Sequence, residues 1–377
     1  MAFLIKNIKK LVQVETKPVL LRAGKDMQTV KCIDNAFLLT DGDKIVDFGK
    51  MSKLTEEVLA QCKHKVQEID ATGRMVFPSF CDSHTHIVYK GSREIEYNDK
   101  IKGLSYEEIA KRGGGILNSV KKLRKASEDE LFDEAWERLE EIISFGTGAV
   151  EIKSGYGLST KDELKSLRVI RRLKEKSPLT IRATFLGAHG VPEEYKGRQG
   201  EYVDLIINEL IPMVAAEDLA DYIDVFCDRG FFTPEETERI LMQGIKYGMR
   251  PKIHANELAN SGGIQVGVKY NSLSVDHLEH TGPKEIECLM GSETMPTFLP
   301  GAAFFLNMVY GPARQMIDAG LPVALASDYN PGSSPSGNMQ FILSMGCVNY
   351  RMTCEESINA TTLNTAYAMG VSQTHGS

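Results

Sequence analysis

At 377 residues, the chain has room for a closed (β/α)₈ barrel of ~250 residues and a smaller partner unit. Hydrophobic residues make up 42% and charged residues 25%, an ordinary globular balance. The net charge of −7, with no basic tract beyond Lys121–Lys125 (best read as a solvated helix face), argues against nucleic acid. No apolar run reaches membrane-spanning length, and the N-terminus lacks a cleavage-type signal. Seven scattered cysteines without a C-x-x-C pair read as reduced thiols of a cytoplasmic protein.

Residues 1–75 hold short apolar runs divided by turn signals such as Asp41-Gly42-Asp43, which predicts a small β domain. From Met75 onward, strand-like and helix-like stretches alternate, the pattern of a parallel sheet with helical crossovers. Strands are expected in 75–86, 148–155, 180–189, 222–228, 251–257, 273–280, 293–300 and 322–328. Capping boxes are expected at Ser105/Glu108, Ser127/Glu130, Thr160/Glu163 and Thr233/Glu236, the last with Pro234 in the first turn. Eight strands with intervening helices fit a closed α/β barrel over 76–370 better than an open sheet.

In such a barrel the reactive residues gather at the C-terminal strand ends. Strand 1 ends in His84-Thr85-His86, whose alternation turns both imidazoles to one side. Strand 3 ends in His189, strand 5 in His254 with Glu257 three residues on, strand 6 in His277 and His280, and strand 8 in Asp328. A lone histidine is most often structural, but independent strands here converge on one mouth. Imidazoles with a carboxylate suit zinc or iron, so His84, His86, His254 and Asp328 are the expected metal ligands.

This constellation resembles the amidohydrolase superfamily. Within it, Gly113–Ile116, Glu151–Gly157, Gly187-Ala188-His189, Asp224–Cys227 and Ser327–Gly332 are similar to the imidazolonepropionases. That resemblance implies hydrolysis of 4-imidazolone-5-propanoate to N-formimidoyl-L-glutamate in histidine degradation. Two-metal members of the superfamily carry a bridging lysine at the end of strand 4. Phe226-Cys227-Asp228 lacks it and Lys153 ends strand 2, so one ion, zinc or iron, is expected. Asp328 or Glu257 would take a proton from the attacking water, and His277 would hydrogen-bond to that water or to the developing oxyanion. Arg93 would grip the propionate, with Tyr106, Tyr156 and Ser333 completing the grip. His189 would meet the ring, Glu257 would also contact substrate, and Asn330 and Gly332 would hold the formimidoyl-glutamate portion. The Gly113–Gly115 run lacks the Lys-Ser/Thr of a phosphate loop and reads as a place of close backbone approach.

The partners expected are a small anionic cyclic amide and a second copy of the chain. Chains of this family continue past Ser377 with a β segment that returns to the small β-sandwich domain, so 371–377 would be the start of that return. Two other readings stand beside this one. A purine or pyrimidine deaminase of the same superfamily would not need Arg93, and a non-catalytic scaffold would have lost its ligands.

Overall fold

The computed structural model describes residues 1–104 and 114–377. The N-terminal unit is one five-stranded sheet. Its strands are β1 (Ala2–Val12), β2 (Cys32–Asp41), β3 (Lys44–Lys50), β4 (Val66–Asp70) and β5 (Met75–Val76), in the order β3-β2-β1-β4 with β5 also on β1. β2 and β3 form a hairpin whose two-residue turn begins at Gly42 with φ 64°, a conformation that glycine adopts without steric cost. Ile8, Leu11, Ala36 and Ala71 fill one buried cluster, and Leu4, Phe37 and Leu39 another.

Eight parallel strands follow: β6 (Phe80–Thr85), β7 (Thr147–Lys153), β8 (Thr180–Ala188), β9 (Tyr222–Cys227), β10 (Arg250–Ala255), β11 (Ser274–His277), β12 (Met295–Phe298) and β13 (Ala324–Leu325). Each overlaps one of the eight predicted segments, β7 and β10 starting one residue earlier. The ring is joined by bonds from Asp328 N to His84 O (3.0 Å) and from His86 N to Tyr329 O (2.8 Å). The strands are buried on both faces, as helix-covered parallel strands must be.

Local differences have physical causes. The 75–86 segment is split: Met75–Val76 pair with β1, and the barrel strand starts only at Phe80, after Pro78 removes a ladder donor. The boxes at Ser127/Glu130 and Thr233/Glu236 form. At the third, Ser159 rather than Thr160 caps the helix Thr160–Lys176, accepting from Asp162 N at 3.2 Å. Glu163 is released for another task. The Ser105/Glu108 box lies outside the described residues. Nor is the Lys121–Lys125 run merely solvated, because Arg124 turns back to donate to the carbonyls of Gly157 and Leu158, both at 2.8 Å.

Candidate active site

Strand alternation sends His84 inward from β6 and His254 inward from β10, and His86 follows just beyond the end of β6. Asp328 stands beyond β13 at φ 55°, a left-handed backbone held by its bond to His84 O. His86 Nε2 lies 3.3 Å from His84 Nε2 and 3.4 Å from His254 Nε2. Asp328 Oδ1 is 3.5 Å from both His84 Nε2 and His86 Nε2.

These separations test whether a metal fits. A tetrahedral shell with bonds of ~2.1 Å has donor–donor edges of ~3.4 Å. The protonation states agree with it. Burial, then the Lys153 charge, holds the His84 imidazolium well below its usual range, and burial with His189 does so for His86. His84 Nδ1 lies 2.7 Å from Asp276 Oδ2, which fixes its proton there. His254 Nδ1 faces Asp224 Oδ2 at 3.0 Å. The Nε2 lone pairs of His84 and His254 therefore point into the space that His86 Nε2 and Asp328 Oδ1 also face, an arrangement that suits a cation. The donor set fits a metal ion, and His84, His277 and Asp328 form a second, overlapping group of possible ligands.

Beneath these histidines and Asp328 lies a layer of charge that the sequence reading missed. Lys153 Nζ reaches Glu151 Oε1 at 2.5 Å and Asp224 Oδ2 at 2.8 Å. Lys252 pairs with Glu151 and donates to Ser83 O at 2.8 Å. All these side chains are fully buried. Burial works against the Lys153 cation, but Asp224, Glu151 and Asp276 outweigh it and raise its pKa. Asp224 is likewise kept ionised by His254 and Lys153 despite its burial. The layer holds Asp224 and Asp276, which in turn orient His254 and His84.

Above these candidate ligands is a cavity of about 190 Å³ whose walls include Arg93, Tyr156, His189, Glu257, His277 and Ser333. Asn330 and Gly332 line it too. His280 does not: it is exposed. Tyr106 lies outside the described residues. His277 Nε2 is 3.5 Å from Glu257 Oε2. Burial pushes the Glu257 carboxyl up to about 7 against the pull of His277. For His277, burial is outweighed by Glu257, Glu279 and Asp328, and the value rises to about 10.

Arg93 binds Glu96 through Nε (2.8 Å) and Nη2 (2.5 Å), while a side chain at Gly332 would collide with Nη1. Gly332 therefore makes room for the guanidinium. The Asn330 side chain is committed to its own loop. Its oxygen accepts from Gly332 N and Ser333 N, both at 2.8 Å, and its amide donates to Asp328 O and Ser333 Oγ. Ser333 Oγ also donates to Asp328 Oδ2 at 3.1 Å.

The loop that carries Tyr156 is built by Glu163. Its carboxylate accepts from Gly155 N (3.1 Å), Gly157 N (2.7 Å) and Leu158 N (2.8 Å). Gly155 has φ 111°, and a Cβ there would also strike His189 Nδ1, 2.9 Å away. His189 Nδ1 lies 3.1 Å from Gly155 O, and its ring stacks on His86. Burial and the nearby His254 bring its pKa down to about 3.

No family model matches the chain. Over all 377 residues it is 54% identical to an imidazolonepropionase of Flavobacterium johnsoniae, covering 90% of that protein. The chain belongs to the imidazolonepropionase family. Solved structures share the fold at low identity. An atrazine chlorohydrolase mutant from Arthrobacter aurescens, complexed with zinc and atraton, superposes with a TM-score of 0.70 at 15% identity, over 98% of this chain and 83% of its own length. A 5-methylcytosine deaminase from Klebsiella pneumoniae gives 0.70 at 15% identity, covering 98% and 86% of the two chains. These distant likenesses establish the barrel alone, whereas the likeness to the imidazolonepropionase runs the full length of this chain. Among the described residues no helix is long and apolar enough to cross a membrane.

Proposed function

We propose that the protein opens 4-imidazolone-5-propanoate by hydrolysing its ring amide C–N bond, giving N-formimidoyl-L-glutamate in histidine degradation. The 54% identity to an imidazolonepropionase across the whole chain carries this reading. The proposed ligands are His84, His86, His254 and Asp328, holding one zinc or iron ion. When bound, such an ion polarises a carbonyl oxygen and lowers the pKa of water.

The chain's own groups divide the remaining work. Glu257 and Asp328 are the candidate bases for the attacking water, and a Glu257 carboxyl near 7 is well matched to moving a proton at neutral pH. His277, kept protonated by the acids around it, donates from Nε2 to the water or to the developing oxyanion. His189 is neutral. A carbonyl can only accept, so the Nδ1 beside Gly155 O carries the proton and Nε2 is left as an acceptor. That polarity suits a ring N–H of the substrate. Arg93 supplies the cation for the propionate, with Tyr156 and Ser333 beside it and Tyr106 assigned by resemblance alone. Because the Asn330 amide is occupied, Asn330 and Gly332 act by shaping the loop and through their backbone.

The test is loss of the substrate's ultraviolet absorbance, on wild type and Arg93→Ala, with metal content measured on both. Losing a charge-assisted pair costs about 1.5–3 kcal/mol, so KM should rise by roughly 10- to 100-fold while the metal stays. Metal-loaded wild type that leaves this substrate untouched refutes the reading. Turnover of neutral nucleobases that survives Arg93→Ala supports the deaminase alternative instead.

A further inference from the structure

Glu279 is a buried acid from which the proposed reaction has so far drawn only its charge. Its side chain is fully enclosed, and neither carboxylate oxygen has a hydrogen-bond partner among the described residues. A carboxylate withdrawn from water without donors is a feature that needs an explanation. The nearest basic atom is His277 Nδ1, 3.7 Å from Glu279 Oε2, and this nitrogen is also buried and without a partner among the described residues. An approach of roughly 0.8 Å turns this gap into an ordinary hydrogen bond. The buried Tyr350 hydroxyl, likewise without a partner among the described residues, lies near enough to feel the Glu279 charge.

The backbone is bent to create this juxtaposition. His277 and Leu278 have φ of 85° and 73°, two consecutive non-glycine residues in the left-handed region. Such a pair persists only where the surroundings enforce it, and functional sites are where this strain collects. Here the bonds from Leu278 N to Ala255 O (3.0 Å) and from His280 N to Asn256 O (2.8 Å) hold the bend. The bend sets Glu279 against the nitrogen of His277 that faces away from Glu257. One ring nitrogen thus faces an acid that lines the cavity and the other an acid that does not.

We propose that Glu279 is a positioning residue, whose carboxylate accepts the Nδ1–H of His277 and so holds Nε2 toward the cavity and Glu257. The arrangement follows the general logic of an acid–base imidazole oriented by a third group. It rests on the functional reading above, and the two are tested separately.

The experiment uses the zinc-loaded full chain as wild type, Glu279→Gln and Glu279→Leu. Readouts are kcat and KM on 4-imidazolone-5-propanoate, zinc content, and the ¹⁵N spectrum of the histidine rings, with His277→Gln used to assign the signal. Glu279→Leu should lower kcat on the order of 100-fold, with KM within about twofold and zinc retained, because Glu279 touches neither substrate nor the four proposed ligands His84, His86, His254 and Asp328. Glu279→Gln keeps an acceptor oxygen and should recover most of the loss. In wild type the His277 Nδ1 should carry a proton. A wild-type spectrum with Nδ1 unprotonated overturns the proposal even if Glu279→Leu fails to fold. So does a folded Glu279→Leu with kcat within twofold of wild type. A wild type that does not turn over the substrate refutes the functional reading, while the ring spectrum still decides the role of Glu279.

Discussion

A lysine inside a barrel stays charged only if anions surround it, and Lys153 has Glu151 at 2.5 Å, Asp224 at 2.8 Å and Asp276 at 3.9 Å. Removing one partner of a buried ion pair leaves the others uncompensated, at a cost of about 3–5 kcal/mol. Lys153→Met should therefore lose roughly that much stability in denaturant unfolding. Because Asp224 faces Nδ1 of His254, the same variant should bind zinc about 10- to 100-fold more weakly in chelator competition. A variant that unfolds within about 1 kcal/mol of wild type and holds zinc equally well would show that the layer beneath the ligands supports neither property. The proposed ligands could be picked out in the sequence, since His84, His86, His254 and Asp328 each end a strand-like run. The support was harder to read. Glu151 and Lys153, like Lys252 and His254, alternate along a strand, so the facing was available from periodicity. Which charge meets which across β7, β9, β10 and β11 depends on the closure of the barrel, and no local pattern carries it.

At the scale of elements, the capping residues show how a local rule yields to a tertiary demand. Thr160 and Glu163 have the spacing of a capping box, yet Ser159 takes the cap and Glu163 secures the Tyr156 loop, because three backbone N–H groups there need an acceptor. The box at Thr353/Glu356 was not among the expected ones, and it joins three elements. Glu356 accepts from Thr353 N (2.8 Å), from Arg314 in the helix Ala313–Asp318 (2.7 Å) and from Gln28 near the N-terminus (3.2 Å). Burial works against the carboxylate, but Arg314, Thr353 and Gln28 outweigh it and hold its pKa below the usual range. A depressed carboxyl stabilises the fold above the unfolded value of about 4.3, and that contribution is lost as pH falls through the folded value. Glu356→Gln should therefore be about 2 kcal/mol less stable than wild type at pH 7, and the gap should close at pH values well below about 4. Comparing the two proteins cancels the acid sensitivity of the metal ligands, which both share. A gap that is unchanged in acid would assign the loss to packing rather than to charge.

Across the whole molecule, the two ends of the barrel have different work. The C-terminal strand ends open into the cavity, while the opposite end is closed by the segment 13–31 and by the last helices, Cys354–Thr361 and Leu363–Ala368. The alternation of strands and helices made the barrel legible, but the segment 13–31 has no periodicity, and its docking could not be read from its composition. Its anchors are two buried asparagines on those helices. Asn364 takes the place of a sheet partner, accepting from Arg22 N at 2.9 Å and donating to Arg22 O and Val323 O. Asn359 donates to Met27 O at 2.8 Å and accepts from the Gln13 amide at 3.0 Å. Asn359→Ala strands several buried polar groups at once, at about 1–3 kcal/mol each, so a loss of roughly 2–4 kcal/mol is expected. Asn359 binds the segment that covers the closed end and does not line the cavity. The variant should therefore melt earlier yet keep kcat and KM within about twofold of wild type at a temperature where both are folded. A kcat that falls in the folded, zinc-loaded variant would mean that the closed end is coupled to the open one, through the buried charges that lie between them.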